Sequence, residues 1–292
     1  MTERRQVVGR RANGSGGRVV IIAHHAEGPS PSPRFARFVA GLASNGATVH
    51  VVSTSPLRND AAERLGLPRD QVITRPNVGF DFASWRDALA RGVAHDADEL
   101  VLTNSSLIGP VRPLAEIFAE IEQRPCDFWG LTEGRSPRPH LQSYFLVFRR
   151  RALEHPAFAA FFAGVRDLTD KAEVVREYEL TLTERLSAAG LRSDVLLRYH
   201  DVLRYVWGPL AGFRNGANLT YHFPLALIDL GFPFMKVEAL RGVRWSARAG
   251  LVRRVAEAAR RRIYLDALAR RGVPVDDLDV PPEPRGPTLG SE

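Results

Sequence analysis

Cysteine is nearly absent from this sequence. Cys126 is the single cysteine among 292 residues, so no disulfide can form within the chain. A chain of this length can bury a large core without covalent cross-links. Because thiols stay reduced inside cells, a sequence without cysteine pairs fits a reducing compartment. We therefore expect a cytoplasmic protein.

Long apolar runs are missing as well. None approaches the roughly 20 residues that a membrane-spanning helix requires. The chain starts M-T-E-R-R-Q with no apolar segment behind it, so we expect no secretory signal. Hydrophobic residues make up 45% and charged residues 25% of the sequence, which is typical of a globular protein. Any membrane contact should then be peripheral, at the inner face of the cell membrane.

The common phosphate-binding motifs do not occur either. The sequence contains no G-x-G-x-x-G and no G-K-[ST]. The sequence therefore argues against a dinucleotide-dependent dehydrogenase and against a P-loop nucleotidase.

Basic residues exceed acidic ones, with a net charge of +7. This balance favours anionic partners. Much of the surplus is arginine in a helix expected from Ser246 to Arg271, which suits either contact with an anionic membrane or packing on the main domain. No aromatic and basic motif of a nucleic-acid-binding fold occurs, so we expect no nucleic acid partner. The apolar stripe of this helix is Val252, Val255, Ala259 and Ile263.

The first hundred residues alternate between strand and helix patterns. Arg18 to Ala23 and Thr48 to Ser53 are β-branched and apolar, as in strands covered on both faces. Between them, Pro33 to Ser44 has helical apolar spacing. A further helix through Ala94 and a strand from Leu100 to Thr103 follow. The pattern predicts an α/β fold with a mostly parallel central sheet flanked by helices.

The stretch from Pro76 to Trp85, P-N-V-G-F-D-F-A-S-W, joins a strand to a helix. Asn77 and Gly79 suit a tight turn, and Asp81 suits the first turn of a helix. A turn that opens onto a helix N-terminus gathers unpaired N–H groups, which suits a phosphate or nucleotide. An ordinary strand-turn-helix joint explains the same letters.

The later part of the chain is less regular. Residues 171 to 190 have the spacing of one helix, residues 192 to 217 give no clear pattern, and 218 to 230 indicate a turn and a helix. Residues 231 to 240 indicate a loop and a strand that contains Lys236. A lysine within an apolar strand needs an anion or a route to water.

Seven stretches, in order, resemble the rhamnan synthesis protein F-like family of bacterial polysaccharide assembly. The most distinctive two are H-L-Q-S-Y-F-L-V-F and G-F-P-F-M-K-V-E-A-L-R. The seven lie at 77 to 85, 102 to 110, 127 to 132, 140 to 148, 177 to 183, 218 to 222 and 231 to 241.

The resemblance implies a glycosyltransferase with a GT-A-like domain over residues 18–241. A disordered basic tail (1–17), a basic helical extension (242–275) and a disordered tail (276–292) would surround it. The donor would be a nucleotide sugar, with dTDP-rhamnose as a candidate. The acceptor would be a growing polysaccharide or a lipid-linked glycan.

A second segment resembles family 2 glycosyltransferases. Y-E-L-T-L-T-E-R-L-S-A-A-G, residues 178 to 190, is similar to their E-D-x-D-L-x-x-R-L-x-x-A-G segment. The similarity puts Glu179 at the position of the general base in inverting enzymes. The alternative is a solvated helix carboxylate.

The resemblance also implies a divalent metal, Mg²⁺ or Mn²⁺, but the chain departs from the family at the usual ligand. Ser105 stands where the family usually has aspartate, and Mg²⁺ prefers carboxylates. Asp81 or Asp127 could substitute. A catalytically silent relative that binds nucleotide or glycan is the rival hypothesis. The candidate donor-binding residues are Asn77, Gly79, Asp81, Asn104, Ser106 and Lys236, and those for sugar or acceptor are His140, Gln142 and His222.

Overall fold

A computed structural model of the chain describes residues 17–208, 216–241 and 250–278. The strands, β1 to β10, are Arg18–His24, Thr48–Ser53, Val72–Thr74, Glu99–Asn104, Leu107–Ile108, Phe128–Gly134, His140–Leu141, Phe145–Arg149, Ser193–Leu197 and Met235–Lys236. The helices, α1 to α13, are Pro33–Ala43, Ala61–Leu65, Phe80–Ala90, Leu114–Glu122, Arg150–Leu153, Pro156–Ala163, Lys171–Val174, Leu180–Ala188, Tyr199–Trp207, Leu219–His222, Pro224–Asp229, Val237–Arg241 and Gly250–Ala269.

The central sheet is mixed but mostly parallel. Its order is β3-β2-β1-β4-β8-β6, with β7 and β9 both paired to β6. Strands β1 to β4 are parallel, β8 runs antiparallel to both β4 and β6, and β9 is parallel to β6. The ends of β1 to β4 and the start of β8 therefore lie along one side of the sheet, which we call the carboxyl edge. The predicted α/β class with a mostly parallel sheet and flanking helices is confirmed.

Both faces of the sheet are buried, as the uninterrupted apolar strands indicated. Along β1, Val20 and Ile22 pack into one core, with side chains of α1, α4 and α9. Ile21 and Ala23 point to the other face and pack with α3, α6 and α8. Two layers of helices thus fix the sheet and leave its carboxyl edge for other contacts.

The C-terminal helix packs on the domain through residues other than the predicted stripe. Tyr264 and Leu268 are buried in a third core with β5, β10 and α12. Ala259 is exposed and Ile263 is 52% exposed, so these two residues of the predicted stripe do not pack on the domain. Val252 and Val255 lie outside the residues whose side chains are described.

The predicted C-terminal tail begins too early. Leu278 is buried in the third core, and Asp277 forms an ion pair with Arg37 of α1 at 2.8 Å. Residues 1–16 and 279–292, which carry the remainder of both predicted tails, lie outside the described residues.

Three later segments also differ from expectation. Only Met235 and Lys236 form the predicted strand, because the chain turns directly into α12 after them. The segment at 192 to 217 contains β9 and α9. The predicted helix at 171 to 190 is interrupted by a π-helical turn, Val175–Glu179.

Candidate active site

The N-V-G-F-D turn follows β3 at the carboxyl edge. Gly79 and Phe80 both adopt left-handed backbone conformations, with φ of 72° and 52°. The Gly79 N–H donates to Leu168 O at 2.9 Å, which ties the turn to the loop before α7. A left-handed phenylalanine is unusual, and such strain persists only where the surroundings hold it.

A buried arginine provides that hold, and the sequence reasoning missed it. Arg75 donates from Nε to Asp87 Oδ2 at 2.6 Å, from Nη1 to Val78 O at 2.5 Å, and from Nη2 to Asp167 Oδ1 at 3.0 Å. Arg86 also contacts both aspartates. The network fixes the turn from inside the protein.

The turn meets the loop that follows β4. Asn104 Nδ2 donates to Asp81 Oδ2 at 2.8 Å. Ser106 donates from its backbone N and its Oγ to Asn104 Oδ1, at 3.1 and 2.6 Å. Burial raises the pKa of Asp81, against the hydrogen bond from Asn104 and the nearby charges of Lys171 and Lys236. Such a perturbed carboxyl at a sheet edge is typical of functional sites.

Glu179 lies at the end of the π-helical turn between α7 and α8. Its Oε1 accepts a hydrogen bond from the Ser143 N–H at 3.4 Å, and its charge acts on both Asp81 and Lys236. The side chain is half-buried. π-Helical turns are rare and occur often at functional sites. The turn brings Glu179 to the carboxyl edge beside the start of β8.

Lys236 reaches the same place from the end of the domain. Strand β10 pairs with β5 so that Lys236 lies opposite Leu107, and Val237 N donates to Ser106 O at 2.8 Å. Lys236 Nζ lies 4.5 Å from the centre of the Tyr144 ring. Burial lowers the pKa of Lys236, against the charges of Glu238, Glu179 and Asp81.

The charged side chains of Asp81, Glu179 and Lys236 form a polar cluster at the carboxyl edge. The sequence reasoning missed one further charge that acts on this cluster, Lys171. It is the first residue of α7, and its charge acts on Asp81 and on Lys236. A signal for it was available. Of 40 basic residues in the chain only two are lysines, Lys171 and Lys236. Lys236 lies at the carboxyl edge, and the charge of Lys171 acts on it.

His140 and Gln142 are engaged within the protein. His140 is 7% exposed, lies against Gly134, and donates from Nδ1 to Arg138 O at 2.8 Å. Gln142 Oε1 accepts from Thr132 Oγ1 at 2.7 Å. These contacts support the end of β6 rather than open a sugar pocket.

Three other candidates lie apart from the cluster in different ways. Asn77 is exposed in its turn. His222 is exposed on α10, and its Nδ1 lies 3.4 Å from Asn218 O. Asp127 precedes β6 at the opposite edge of the sheet and pairs with Arg151 and Arg192. Asp127 is therefore wrong as a substitute metal ligand, because the sheet separates it from Asp81.

The residues at the site do not suit a divalent cation. Asp81 supplies one carboxylate, but its oxygen accepts a hydrogen bond from Asn104 Nδ2, and Asn104 Oδ1 accepts from Ser106. Within residues 17–208, 216–241 and 250–278, no three His, Cys, Asp or Glu side chains gather as ligands. The nearby ammonium groups would also repel a cation. This donor set differs from the carboxylate-rich sites that Mg²⁺ prefers.

His24, at the end of β1, makes the stability of the carboxyl edge depend on pH. It is 3% exposed, stacks on Phe35, and its Nδ1 lies 3.0 Å from Ser53 Oγ. Burial, followed by the charges of Arg34 and His25, lowers its pKa to about 4. An unfolded histidine titrates near 6.5, so the unfolded state binds a proton first as the pH falls.

We expect His24 to reduce the free energy of unfolding by about 3 kcal/mol between pH 7 and pH 4. Stability should be complete above pH 6.5 and should decline progressively below it. Urea unfolding of the wild type and of His24→Phe at several pH values measures this, since phenylalanine keeps the ring and does not titrate. His95→Asn, at an exposed histidine, is the control. An equal slope in the His24→Phe variant would contradict the prediction.

An apolar cavity lies elsewhere. A volume of about 450 Å³ opens at the opposite edge of the sheet, between α3, α5 and α6. Its arginines already have partners, since Arg86 pairs with Asp87 and Asp167 while Arg150 pairs with Asp98. The polar cluster at the carboxyl edge is the better candidate for chemistry.

Comparison with known proteins assigns the chain to a family. The model of the family described as rhamnan synthesis protein F matches residues 49–265, which is most of the chain. The chain therefore belongs to the rhamnan synthesis protein F family, as the sequence stretches indicated. The match extends past residue 241 into α13, in agreement with the packing of that helix on the domain.

Two curated proteins are each 28% identical to part of the chain. The virulence protein VirA of Vibrio anguillarum is 28% identical over 196 residues, which cover 59% of this chain and 62% of VirA. The uncharacterized protein y4gN of Sinorhizobium fredii is 28% identical over 170 residues, covering 56% of this chain and 44% of y4gN. The chain thus spans less than two thirds of either relative.

Solved structures give weaker similarities. A protein of Desulfovibrio desulfuricans named as a nucleotide-diphospho-sugar transferase aligns with a TM-score of 0.39 at 16% identity, covering 89% of this chain and 98% of that chain. The Pyrobaculum calidifontis mannosyltransferase PcManGT, solved with GDP-Man and Mn²⁺, aligns with a TM-score of 0.40 at 14% identity, covering 87% and 85%. Scores this low do not establish a common fold. Among the described residues, no helix is long and apolar enough to span a bilayer.

Proposed function

We propose that the chain is a GT-A-like glycosyltransferase that transfers a sugar from a nucleotide sugar to a glycan acceptor. One observation carries the proposal. Asp81, Asn104, Glu179 and Lys236 come from four distant parts of the chain, and they converge at the carboxyl edge of one sheet. Ligands of open α/β sheets bind at such an edge. Membership of the rhamnan synthesis protein F family supports the same activity.

Glu179 is the proposed general base. An acceptor hydroxyl oxygen attacks the anomeric carbon, its proton passes to the Glu179 carboxylate, and the bond from carbon to the diphosphate oxygen breaks. The diphosphate leaves with the bonding electron pair from the face opposite the attack, so the configuration inverts. A base placed beside the carboxyl edge can act in this way if the donor lies along that edge.

Asp81, Asn104 and Ser106 form the proposed floor of the donor site. Asn104 connects the other two through its amide. Such a network holds its members in place before the ligand arrives, which reduces reorganisation during the reaction. Gly79 has no side chain, so the backbone of the turn can approach the donor closely. Asn77 and His222, which are exposed, are retained as candidates at the rim. His140 and Gln142 are buried and would act by supporting the end of β6.

Thermal unfolding with a panel of nucleotide sugars tests the proposal. A ligand at a hundred times its Kd should stabilise the folded state by about 2.7 kcal/mol. We expect at least one UDP-, GDP- or dTDP-sugar to raise the Tm, with dTDP-rhamnose as the candidate from the family. The free sugar serves as control. No stabilisation by any donor would overturn the proposal. Release of nucleoside diphosphate when a glycan is added would support the transfer step itself.

A second candidate is a catalytically silent relative that binds the nucleotide or glycan. The hydrogen bond from Asn104 to Asp81 favours it, because it engages an oxygen of the carboxylate that was the candidate to replace the missing metal ligand. The same panel separates the two functions. Donor binding with no transfer to any polysaccharide or lipid-linked acceptor would support the silent relative.

We further propose that the protein acts in the cytoplasm with peripheral contact to anionic lipid. Arg262 and Ile263 are exposed on α13 and Arg270 is exposed directly after it, which suits such a surface. Sedimentation with vesicles of anionic lipid tests this. Equal sedimentation of Ile263→Asp and wild type would contradict it.

A further inference from the structure

We propose that Lys171 and Lys236 together supply the positive charge that neutralises the donor diphosphate, in the role that other enzymes give to a divalent metal. The inference rests on the proposed function and adds that nucleoside diphosphate binds without metal. Two ammonium groups carry the same total charge as one divalent ion. The lysine ammonium is a compact point charge and a common binder of phosphate.

The choice of residue supports this interpretation. The chain uses arginine at 38 of its 40 basic positions and lysine only at these two. Surface solvation alone gives no reason for both exceptions to fall on one site. The charge of Lys171 acts on Asp81 and on Lys236. The Gly79 N–H donates to Leu168 O at 2.9 Å, which ties the loop before α7 to the N-V-G-F-D turn, and Lys236 lies opposite Leu107 in the β10–β5 pair. Both lysines therefore lie near the carboxyl edge.

Lys236 is directed into this space by the strand that carries it. Met235 is 1% exposed and packs into the third core. Because successive side chains of a strand alternate, Lys236 points to the other side. Among the described residues, no carboxylate lies within the 4.0 Å of an ion pair from Lys236 Nζ. A half-buried ammonium without a paired carboxylate is prepared for an anionic ligand.

Tyr144 is a positioning residue for Lys236. Its ring lies under the ammonium at 4.5 Å, within the range of a cation–π interaction. The Tyr144 hydroxyl hydrogen-bonds Thr132 Oγ1, which donates to Gln142 Oε1 at 2.7 Å, and all three side chains are buried. Phe232 packs edge-on against the ring. The ring is therefore fixed in place before any ligand binds.

Calorimetric titration of the full chain with UDP, GDP and dTDP, in EDTA and again with Mn²⁺, tests the proposal. We expect the wild type to bind a nucleoside diphosphate equally in both buffers. Lys236→Met and Lys171→Met should each weaken binding about tenfold or more, as for a hydrogen bond to a charged group. Arg176→Met removes an exposed charge from the neighbouring π-helical turn and should leave the Kd unchanged.

The role of Tyr144 is tested by a double-mutant cycle. Tyr144→Phe keeps the ring and should bind nearly as well as the wild type. Tyr144→Leu should weaken binding about fivefold, and should have no further effect in the Lys236→Met background. An equal loss in both backgrounds would overturn the positioning role, since it would indicate general damage to the fold.

A second measurement needs no variant. Because the chain has two lysines, an amine-selective acylating reagent followed by peptide mass analysis reports on each. We expect a nucleoside diphosphate in EDTA to protect both lysines, and the corresponding nucleoside to protect neither. Labelling that is unaffected by the diphosphate would overturn the proposal.

The possible failures are distinguishable. Binding that requires Mn²⁺, or that survives both lysine substitutions, would overturn the inference and leave the proposed function standing. Absence of nucleoside diphosphate binding in both buffers would overturn both, since the donor site itself would be missing.

Discussion

Replacing Glu179 by glutamine should lower kcat by roughly 100-fold or more, the usual contribution of general base catalysis. The substitution keeps the shape of the side chain and its hydrogen bond from the Ser143 N–H, but it removes the basicity. Since the base acts mainly in the transition state, the Kd for the donor should hardly change. Steady-state transfer kinetics and donor titration measure the two quantities.

Glu177→Gln is the matched control for this experiment. Glu177 lies on the same π-helical turn, and its carboxylate pairs with Arg176 at 3.5 Å. We expect near wild-type turnover from it. Near wild-type turnover of Glu179→Gln as well would return Glu179 to an ordinary helix carboxylate. A proportional loss of donor binding would instead make Glu179 a residue that positions the ligand.

The sequence predicts the first half of the sheet well because its signals are local. β1, α1 and β2 each have a period that a short window detects, and strands buried on both faces leave no ambiguity of class. In contrast, β9 exists because it pairs with β6, more than sixty residues earlier. Its apolar residues alone are too few to indicate a strand. The same reason explains why β10 stops after Lys236, where the pairing with β5 ends.

The site follows the same division. Asp81, Asn104 and Lys236 could be selected as candidates from the sequence. A turn after a strand and a lysine within an apolar strand are both local sequence patterns. The role of Arg75 could not be predicted, because its partner Asp167 is 92 positions away. The local sequence also does not distinguish a buried arginine from an exposed one. The π-helical turn at Glu179 also escapes a helical period, since one extra residue in a turn leaves the flanking stripe nearly intact.

The backbone conformation of the turn at residues 76 to 85 depends most on Gly79. Of the small substitutions near the site, Gly79→Ala should therefore cause the largest loss of stability. At φ +72 an alanine is strained by about 1–2 kcal/mol. The added Cβ would overlap the Cβ of Ala83 and would lie 2.9 Å from Asp167 Oδ1 and 3.2 Å from Asp167 Cα. Relieving that overlap moves backbone, which costs about 1–3 kcal/mol more. We expect a loss of about 3 kcal/mol in the free energy of unfolding, measured by urea denaturation.

Gly92→Ala separates the two contributions. Gly92 has φ +76, nearly the same backbone strain, but nothing lies within 4 Å of a Cβ built there. It should therefore lose only the conformational part, about 1 kcal/mol. Because Gly79 adjoins the left-handed Phe80 and the carboxylate of Asp81, Gly79→Ala should also weaken nucleotide binding, which Gly92→Ala should not. Equal destabilisation by the two substitutions would mean that the turn relaxes without strain, and that its close packing on Asp167 does not define the donor site.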